Sequence, residues 1–486
     1  MNTTTQTDIS SLFIDGEWRE AVSGDKLDVC NPATGEVLAR VSAGGREDAR
    51  AAIAAADAAF PSWSARTAYE RSEVLYKAWS ILMSRHEELA RILTSEQGKP
   101  IKAARAEVKY AADFLIWFAE EAKRAYGRTI PSARADQRFI VQHQPIGVVA
   151  AITPWNYPIS MITRKVAPAL AAGCTIVLKP AEDTPLCAIE VFRALQEAGL
   201  PAGVANLVTA ADPEPFGEEF TRNPLVGKLT FTGSTAVGKM LAREAADNML
   251  RVSLELGGHA PFIVFDDADP VHAAKGASLV KFLNTGQACI SPNRIFVHAS
   301  IHDDFVDTFT SRVAKMRAGS GFEDGVSIGP LINRFAVDKM SAQVADALDR
   351  GATATTGGER LTGGSYGSGL FFAPTVLTGV TPEMTIFQQE TFGPIAAICP
   401  FEDEAEVIRA ANDTRYGLAA YVYTQNLGRA LRVSEALKFG MVGINDINPT
   451  SAAAPFGGVK ESGLGREGAQ EGLMEYLDTK LVGISL

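Results

Sequence analysis

Residues 148–185 read "VVAAITPWNYPISMITRKVAPALAAGCTIVLKPAEDTP". Two apolar runs, VVAAIT and TIVLKP, show no polar alternation, and between them apolar residues recur at helical spacing up to Gly173. A run without alternation suits a strand buried on both faces, and two such strands joined by a helix must run parallel. The pattern repeats downstream in VANLVT (204–209), in KLTFTGS (228–234) opening onto TAVGKMLAREAA, and in RVSLEL (251–256). Strands alternating with helices predict a doubly wound α/β domain, whose ligands bind at the carboxyl ends of the strands.

Outward from this core, a second alternating region spans about 262–445, with strands PFIVF, RIFVH, AAICPF, AAYVYT and MVGIND between helices. Residues 46–126 read as helical, in three stretches at 47–63, 70–99 and 101–127. The Pro- and Gly-bounded segment that follows, containing RFIVQHQ, reads as an extended arm with little core of its own. An exposed strand of that kind is safest when paired. The expected division is a cofactor-binding domain from 1–126 and 146–255, a catalytic domain at 256–460, and an oligomerisation arm and tail at 127–145 and 461–486.

A chain of 486 residues exceeds one hydrophobic core. Its 46% hydrophobic and 21% charged composition is that of a globular protein, and no apolar run is long enough to span a bilayer. The start, MNTTTQTDISSLFIDGEW, carries no basic region or apolar signal core, so the expected location is the cytoplasm. A net charge of −11 disfavours nucleic acid and anionic membranes as partners. The five cysteines, at 30, 174, 187, 289 and 399, show neither a disulfide framework nor zinc-ligand spacing. His298 and His302 occur without an H-E-x-x-H context, and no metal is expected.

Four cysteines sit in or near apolar runs, where cysteine packs as a small hydrophobe. Cys289, in NTGQACISPNR (284–294), lies instead among Gly286, Ala288 and Ser291. A turn or helix start there would lend it thiolate character. Glu255, in VSLELGGHAPF, stands between apolar residues, where a desolvated carboxylate of raised pKa serves as a general base or is simply a satisfied buried acid. Asn156, in TPWNYP, sits in a loop stiffened by Pro154 and Pro158, able either to donate to an oxyanion or to form a turn. Gly233 and Ser234 mark a strand-to-helix handover that can cradle a phosphate or simply cap the helix. Lys179 and Glu182 leave the end of a strand together, offering a cation and a carboxylate to a ribose.

These motifs occur in one order, TPWNYP, KPAEDTP, FTGS, LELGGHAPFIVFDDAD, NTGQACISPNR and QQETFGPI, between LFIDGEW near the N-terminus and PFGGVKESGLGREG near the C-terminus. By them the chain resembles the NAD(P)-dependent aldehyde dehydrogenases over essentially its whole length. Within that family it is most similar to succinate-semialdehyde dehydrogenases, through EEAKRAYGRTIP, MITRKVAPALAAGCTIVLKPA and GLGREG.

The resemblance implies an α/β aldehyde dehydrogenase-like fold of two doubly wound domains with a small β oligomerisation arm. It also implies a catalytic set of Cys289 as nucleophile, Asn156 as oxyanion donor, Glu255 as base, and Lys165 with Glu467 as a proton path behind it. Cofactor contacts would come from Thr153, Pro154, Trp155, Lys179, Glu182, Gly233, Ser234, Val237, Leu256, Gly257, Glu390 and Phe392. Glu182 favours NAD, with NADP possible, because a carboxylate accepts from ribose hydroxyls and repels a 2′-phosphate. Arg164 and Arg294 would clamp a substrate carboxylate, helped by Thr450 or Ser451. The expected substrate is therefore succinate semialdehyde, with glutarate semialdehyde or another small aldehyde as the alternative. A homodimer or homotetramer is expected, through the arm and the strand YLDTKLVGIS adding to a neighbouring subunit's sheet. A cysteine esterase would have no use for the cofactor motifs, and a silent scaffold no reason to keep Cys289, Glu255 and Asn156 together.

Overall fold

The structure is a computed structural model and describes residues 8–486. Residues 1–7, part of the stretch read as lacking a targeting signal, lie outside the described residues. The four downstream runs and VVAAIT all become neighbouring strands. An eight-stranded sheet has the order Gly463–Leu464, Arg251–Glu255, Val226–Thr232, Val148–Ile152, Thr175–Lys179, Ala205–Leu207, Leu12–Ile14 and Glu17–Arg19. From Val148–Ile152 the chain winds first toward Ala205–Leu207, then returns to Val226–Thr232 on the other side. The point of reversal thus lies between Val148–Ile152 and Val226–Thr232. Crevices for ligands open there, beyond the strands' carboxyl ends.

The connecting helices start and stop for local reasons. Pro158 opens the helix Pro158–Ala172, where its missing N–H costs nothing, and Gly173 closes it in the left-handed region at φ 94°. Ser234 caps Thr235–Asp247 by accepting the Val237 N–H at 3.3 Å. The 70–99 stretch is two helices, Ala68–Ser84 and His86–Gln97, because Arg85 departs from helical geometry at φ −101° and ψ 16°. With Ile101–Glu121 they cover one sheet face through Leu75, Leu93, Phe114 and Phe118, all buried.

A seven-stranded sheet forms the second unit, in the order Thr353–Thr356, Thr375–Thr378, Ile395–Phe401, Pro292–His298, Ala260–Val264, Ala419–Tyr423 and Met441–Ile444. The first of these pairs antiparallel with its neighbour; the rest are parallel.

Two observations refine the reading of the tail. Gly463–Leu464 belongs to the larger sheet, pairing antiparallel with Leu254–Glu255, rather than to the arm. The final strand Leu477–Ser485 pairs along its length with Gln137–Pro145 of its own chain, from Leu477↔Pro145 to Ser485↔Gln137. Arg128–Ile130 completes a three-stranded sheet whose edges are Arg128–Ile130 and Leu477–Ser485. The arm's first partner is therefore the tail of the same chain, so any pairing between subunits must use one of those edges. Among the described residues, no helix is long and apolar enough to cross a membrane, and no three His, Cys, Asp or Glu side chains cluster to hold a metal ion.

Candidate active site

Cys289 lies in a turn between the short helix Leu283–Gly286 and the strand Pro292–His298, with the Ser291 N–H closing on Ala288 O at 3.0 Å. It faces a cavity of about 470 Å³, whose walls include Lys99, Tyr110, Arg164, Leu283 and Phe456. The expected thiolate character is not found. Burial pushes the thiol up to about 12, Glu255 adds to the rise, and Arg164 opposes it. Because the side chain is only half-buried and opens on the cavity, solvent moderates that rise. Cys289 is not at a helix N-terminus, and its own backbone N–H and Arg164 offset desolvation only in part.

Glu255 ends the strand Arg251–Glu255 and is buried with neither carboxylate oxygen partnered. Burial, reinforced by Glu467, raises its pKa well above the ordinary carboxylate range. Gly457 leaves room beside it, since a Cβ there would stand 2.8 Å from Glu255 Oε1. Behind it Lys165 Nζ donates to Glu467 Oε1 at 2.6 Å and to Thr230 Oγ1 at 3.0 Å. Although buried, Glu467 is held below the usual range by Lys165 and Arg164. The two acids are thus pushed apart, one favouring its neutral form and the other its anion.

Asn156 follows the strand Val148–Ile152, and its Nδ2 donates to Gln287 O at 3.1 Å, directly across to the loop that carries Cys289. Arg164 is also buried, with its guanidinium carbon 4.0 Å from the Phe456 ring centroid. Its Nη2 lies 2.7 Å from Glu467 Oε2 but off the line of a hydrogen bond, so Nε and Nη2 keep protons without acceptors.

Arg294 does not reach the cavity. Fully buried in the strand Pro292–His298, it donates to Ala410 O at 2.8 Å, Ala411 O at 2.9 Å and His259 O at 3.1 Å. Its fork closes the carboxyl end of the helix Glu404–Asn412, where a cation is favoured by the helix dipole. Strand alternation sends residue 294 away from the nucleophile's side. Thr450 lines the Cys289 cavity, but Ser451 faces an adjoining outer cavity and accepts the Ala453 N–H at 3.0 Å.

The residues expected at a dinucleotide gather at the reversal point. Thr153 and Thr232, at or just beyond the ends of the two central strands, have buried hydroxyls without partners. Trp155 meets Phe392 edge-on at 5.5 Å between centroids, and Phe392 holds the left-handed conformation at φ 56°. Glu390 accepts the Gly258 N–H at 2.8 Å, and a Cβ on Gly257 would stand 2.9 Å from its other oxygen. Lys179 and Glu182 form an ion pair. Ser234 and Val237 stand at the N-terminus of Thr235–Asp247, with Val237 exposed; Gly233 turns the chain into it, and buried Leu256 packs against Gly238. Orphaned buried hydroxyls, an uncovered helix N-terminus and a fixed carboxylate fit a nucleotide's polar groups. Pro154 stiffens the connecting loop.

Sequence reasoning missed Lys99, Glu107 and Asn284, which surround Asn156. A lysine just before a helix and an asparagine before a Gly-Gln pair carry no pattern of their own.

The profile of the Aldehyde dehydrogenase family matches residues 18–482, and the chain belongs to that family. It is 50% identical over 482 residues to the NADP(+) succinate-semialdehyde dehydrogenase GabD of Escherichia coli (strain K12), covering 98% of this chain and 99% of that one. It is 49% identical over 474 residues to the glutarate-semialdehyde dehydrogenase of Pseudomonas putida, covering 98% and 97%. The crystal structure of succinate-semialdehyde dehydrogenase from Burkholderia pseudomallei superposes with a TM-score of 0.96 at 49% identity, covering 98% of each chain.

Proposed function

We propose that the chain oxidises a small aldehyde bearing a carboxylate to the corresponding acid, using NAD or NADP, through a covalent adduct on Cys289. The observation that carries this reading is the placement of Cys289 on a cavity lined in part by Arg164, a buried guanidinium held beside Glu467.

The Cys289 thiol gives its proton to Glu255 in its anionic form, Sγ attacks the aldehyde carbon, and the carbonyl oxygen becomes an oxyanion. The Asn156 amide exchanges Gln287 O for that oxyanion, joined by the Cys289 backbone N–H. Glu390, Phe392 and the strand-end loops would hold the nicotinamide, which when bound would accept the hydride lost as this adduct becomes a thioester. Glu255, once it has passed its proton towards the Glu467 anion, then deprotonates the water that hydrolyses the thioester. Lys165 and Glu467 offer that proton a buried route away from the site.

Succinate semialdehyde is the first substrate. Arg164 suits a carboxylate because its planar fork binds two oxygens at once. A longer ω-carboxylated aldehyde, such as glutarate semialdehyde, is the second reading. It is favoured by Leu279 and Leu283, which stay 49% and 41% exposed on the cavity wall, and by Arg294 lying elsewhere. As to cofactor, relatives named for NADP(+) do not support the expected preference for NAD. Glu182 disfavours a 2′-phosphate, but Lys179 already pairs with it and offsets the repulsion, so a modest preference for NAD is proposed. Association into dimers or tetramers through an arm-sheet edge also belongs to this reading.

Reduced-cofactor formation with four- and five-carbon semialdehydes and an uncharged aldehyde of equal length tests the proposal. Arg164→Met should raise KM for the charged substrates far more than for the uncharged one. A wild-type preference for the uncharged aldehyde would overturn the substrate, and turnover by Cys289→Ala would overturn the covalent route.

A further inference from the structure

Asn156 is tied on both its main chain and its side chain beside Cys289. Its main-chain oxygen accepts from Lys99 Nζ at 2.8 Å and from Asn284 Nδ2 at 2.9 Å. The same Asn284 amide reaches Gln287 O at 3.2 Å, the oxygen that also takes the Asn156 side-chain amide at 3.1 Å. Two loops from different sheets are therefore stitched through two carbonyls, two amides and one ammonium.

Each partner is itself fixed. Lys99, 1% exposed, pairs with Glu107 and stands 4.0 Å from the Tyr157 ring centroid. Glu107 Oε1 accepts the Ile159 N–H at 3.1 Å, in the first turn of the helix that Asn156 precedes. The Lys99 backbone is wedged as well, since a Cβ on Gly321 would come within 2.5 Å of Lys99 O. Asn284 holds φ 50° and ψ 41°, a left-handed conformation that side chains other than asparagine and glycine adopt at a cost. Such strain persists where the surroundings over-determine it.

We propose that Lys99 and Asn284 are positioning residues for the Asn156 amide, holding it at the distance from Cys289 that oxyanion stabilisation needs. This rests on the oxyanion role given to Asn156 above. Neither residue donates to the reacting atoms; both act through the backbone of Asn156. Oxyanion donors are sensitive to placement, and a displacement of about 1 Å costs on the order of 100-fold in rate. Lys99 is not among the principal groups that set the Cys289 thiol, so the nucleophile's own reactivity should survive its loss.

The test is a double-mutant cycle on the full-length enzyme with saturating NAD and succinate semialdehyde, using Lys99→Met, Asn284→Gly, Asn156→Ala and the doubles with Asn156→Ala. Glycine keeps the left-handed backbone at 284 while deleting the amide. Each single variant should lower kcat by roughly 10- to 100-fold with KM for NAD unchanged. Each double should be no slower than Asn156→Ala alone, because coupled residues do not add. Alkylation of Cys289 by iodoacetamide should keep its wild-type rate in the Lys99 and Asn284 variants. Penalties that multiply in the doubles, or a changed alkylation rate, would overturn the positioning role while sparing the oxyanion role. An Asn156→Ala enzyme of undiminished kcat would overturn both. If Lys99→Met does not fold, the Asn284→Gly arm decides.

Discussion

Gly258 lies hard against the carbonyl of Cys289: a Cβ added to Gly258 would stand 2.1 Å from that oxygen. The glycine pair after Glu255 thus brings the base-bearing strand and the nucleophile's turn together by backbone alone. Gly258→Ala should push the Cys289 turn aside and lower kcat by about 100-fold, while reduced cofactor still binds. Fluorescence titration with NADH beside steady-state turnover checks both halves.

The charges around the thiol set its titration. Burial raises Cys289, Glu255 raises it further and Arg164 lowers it, so the two charges have opposite signs of effect. The reactive thiolate is present above the thiol's pKa and lost as pH falls through it. Glu255→Gln should therefore move the iodoacetamide pH profile to lower pH, and Arg164→Met should move it higher. Shifts in the same direction for both would contradict the electrostatics described.

Arg294 is expected to matter for stability rather than for substrate. Removing a buried guanidinium that serves three carbonyls should cost about 2–4 kcal/mol. Thermal unfolding of Arg294→Met should show a lowered Tm, with KM for the aldehyde unchanged in the surviving folded enzyme. A selective rise in KM would restore a substrate role.

Cofactor choice turns on the Lys179–Glu182 pair. Glu182→Ser frees Lys179 for a 2′-phosphate, and kcat/KM for NADP relative to NAD should rise by about tenfold, corresponding to roughly 1.4 kcal/mol. An unchanged ratio would remove Glu182 from ribose selection.

Deleting 477–486 strips Gln137–Pro145 of the partner it pairs with along its full length. The truncated chain should lose association, or precipitate through the bared edge. Light scattering that still shows the intact assembly would place the subunit contacts elsewhere.

The sheets and the position of Cys289 on a cavity were legible because their signals are local: unbroken apolar runs for buried strands, a cysteine among small polar residues for the turn. Arg294 misled because a motif position says nothing of which face of a strand a side chain takes, and strand alternation turned it into the helix end. The expected thiolate failed for a similar reason, since neighbours in sequence gave a polar turn while neighbours in space gave burial and Glu255. Lys99 and Asn284 were invisible because their importance lies in a carbonyl 57 and 128 residues away.

The pairing of Lys165 with Glu467 spans 302 residues, and Gly463–Leu464 completes the edge beside Glu255. During synthesis the earlier strands can fold as they emerge, yet the proton-handling cluster has no second half until nearly the whole chain has left the ribosome. Under the roles proposed for Glu255, Lys165 and Glu467, the enzyme is thus chemically silent until it is finished. A product interrupted or clipped anywhere before Gly463 carries an intact Cys289 but no anion behind Glu255, so completeness of translation is itself a condition for turnover.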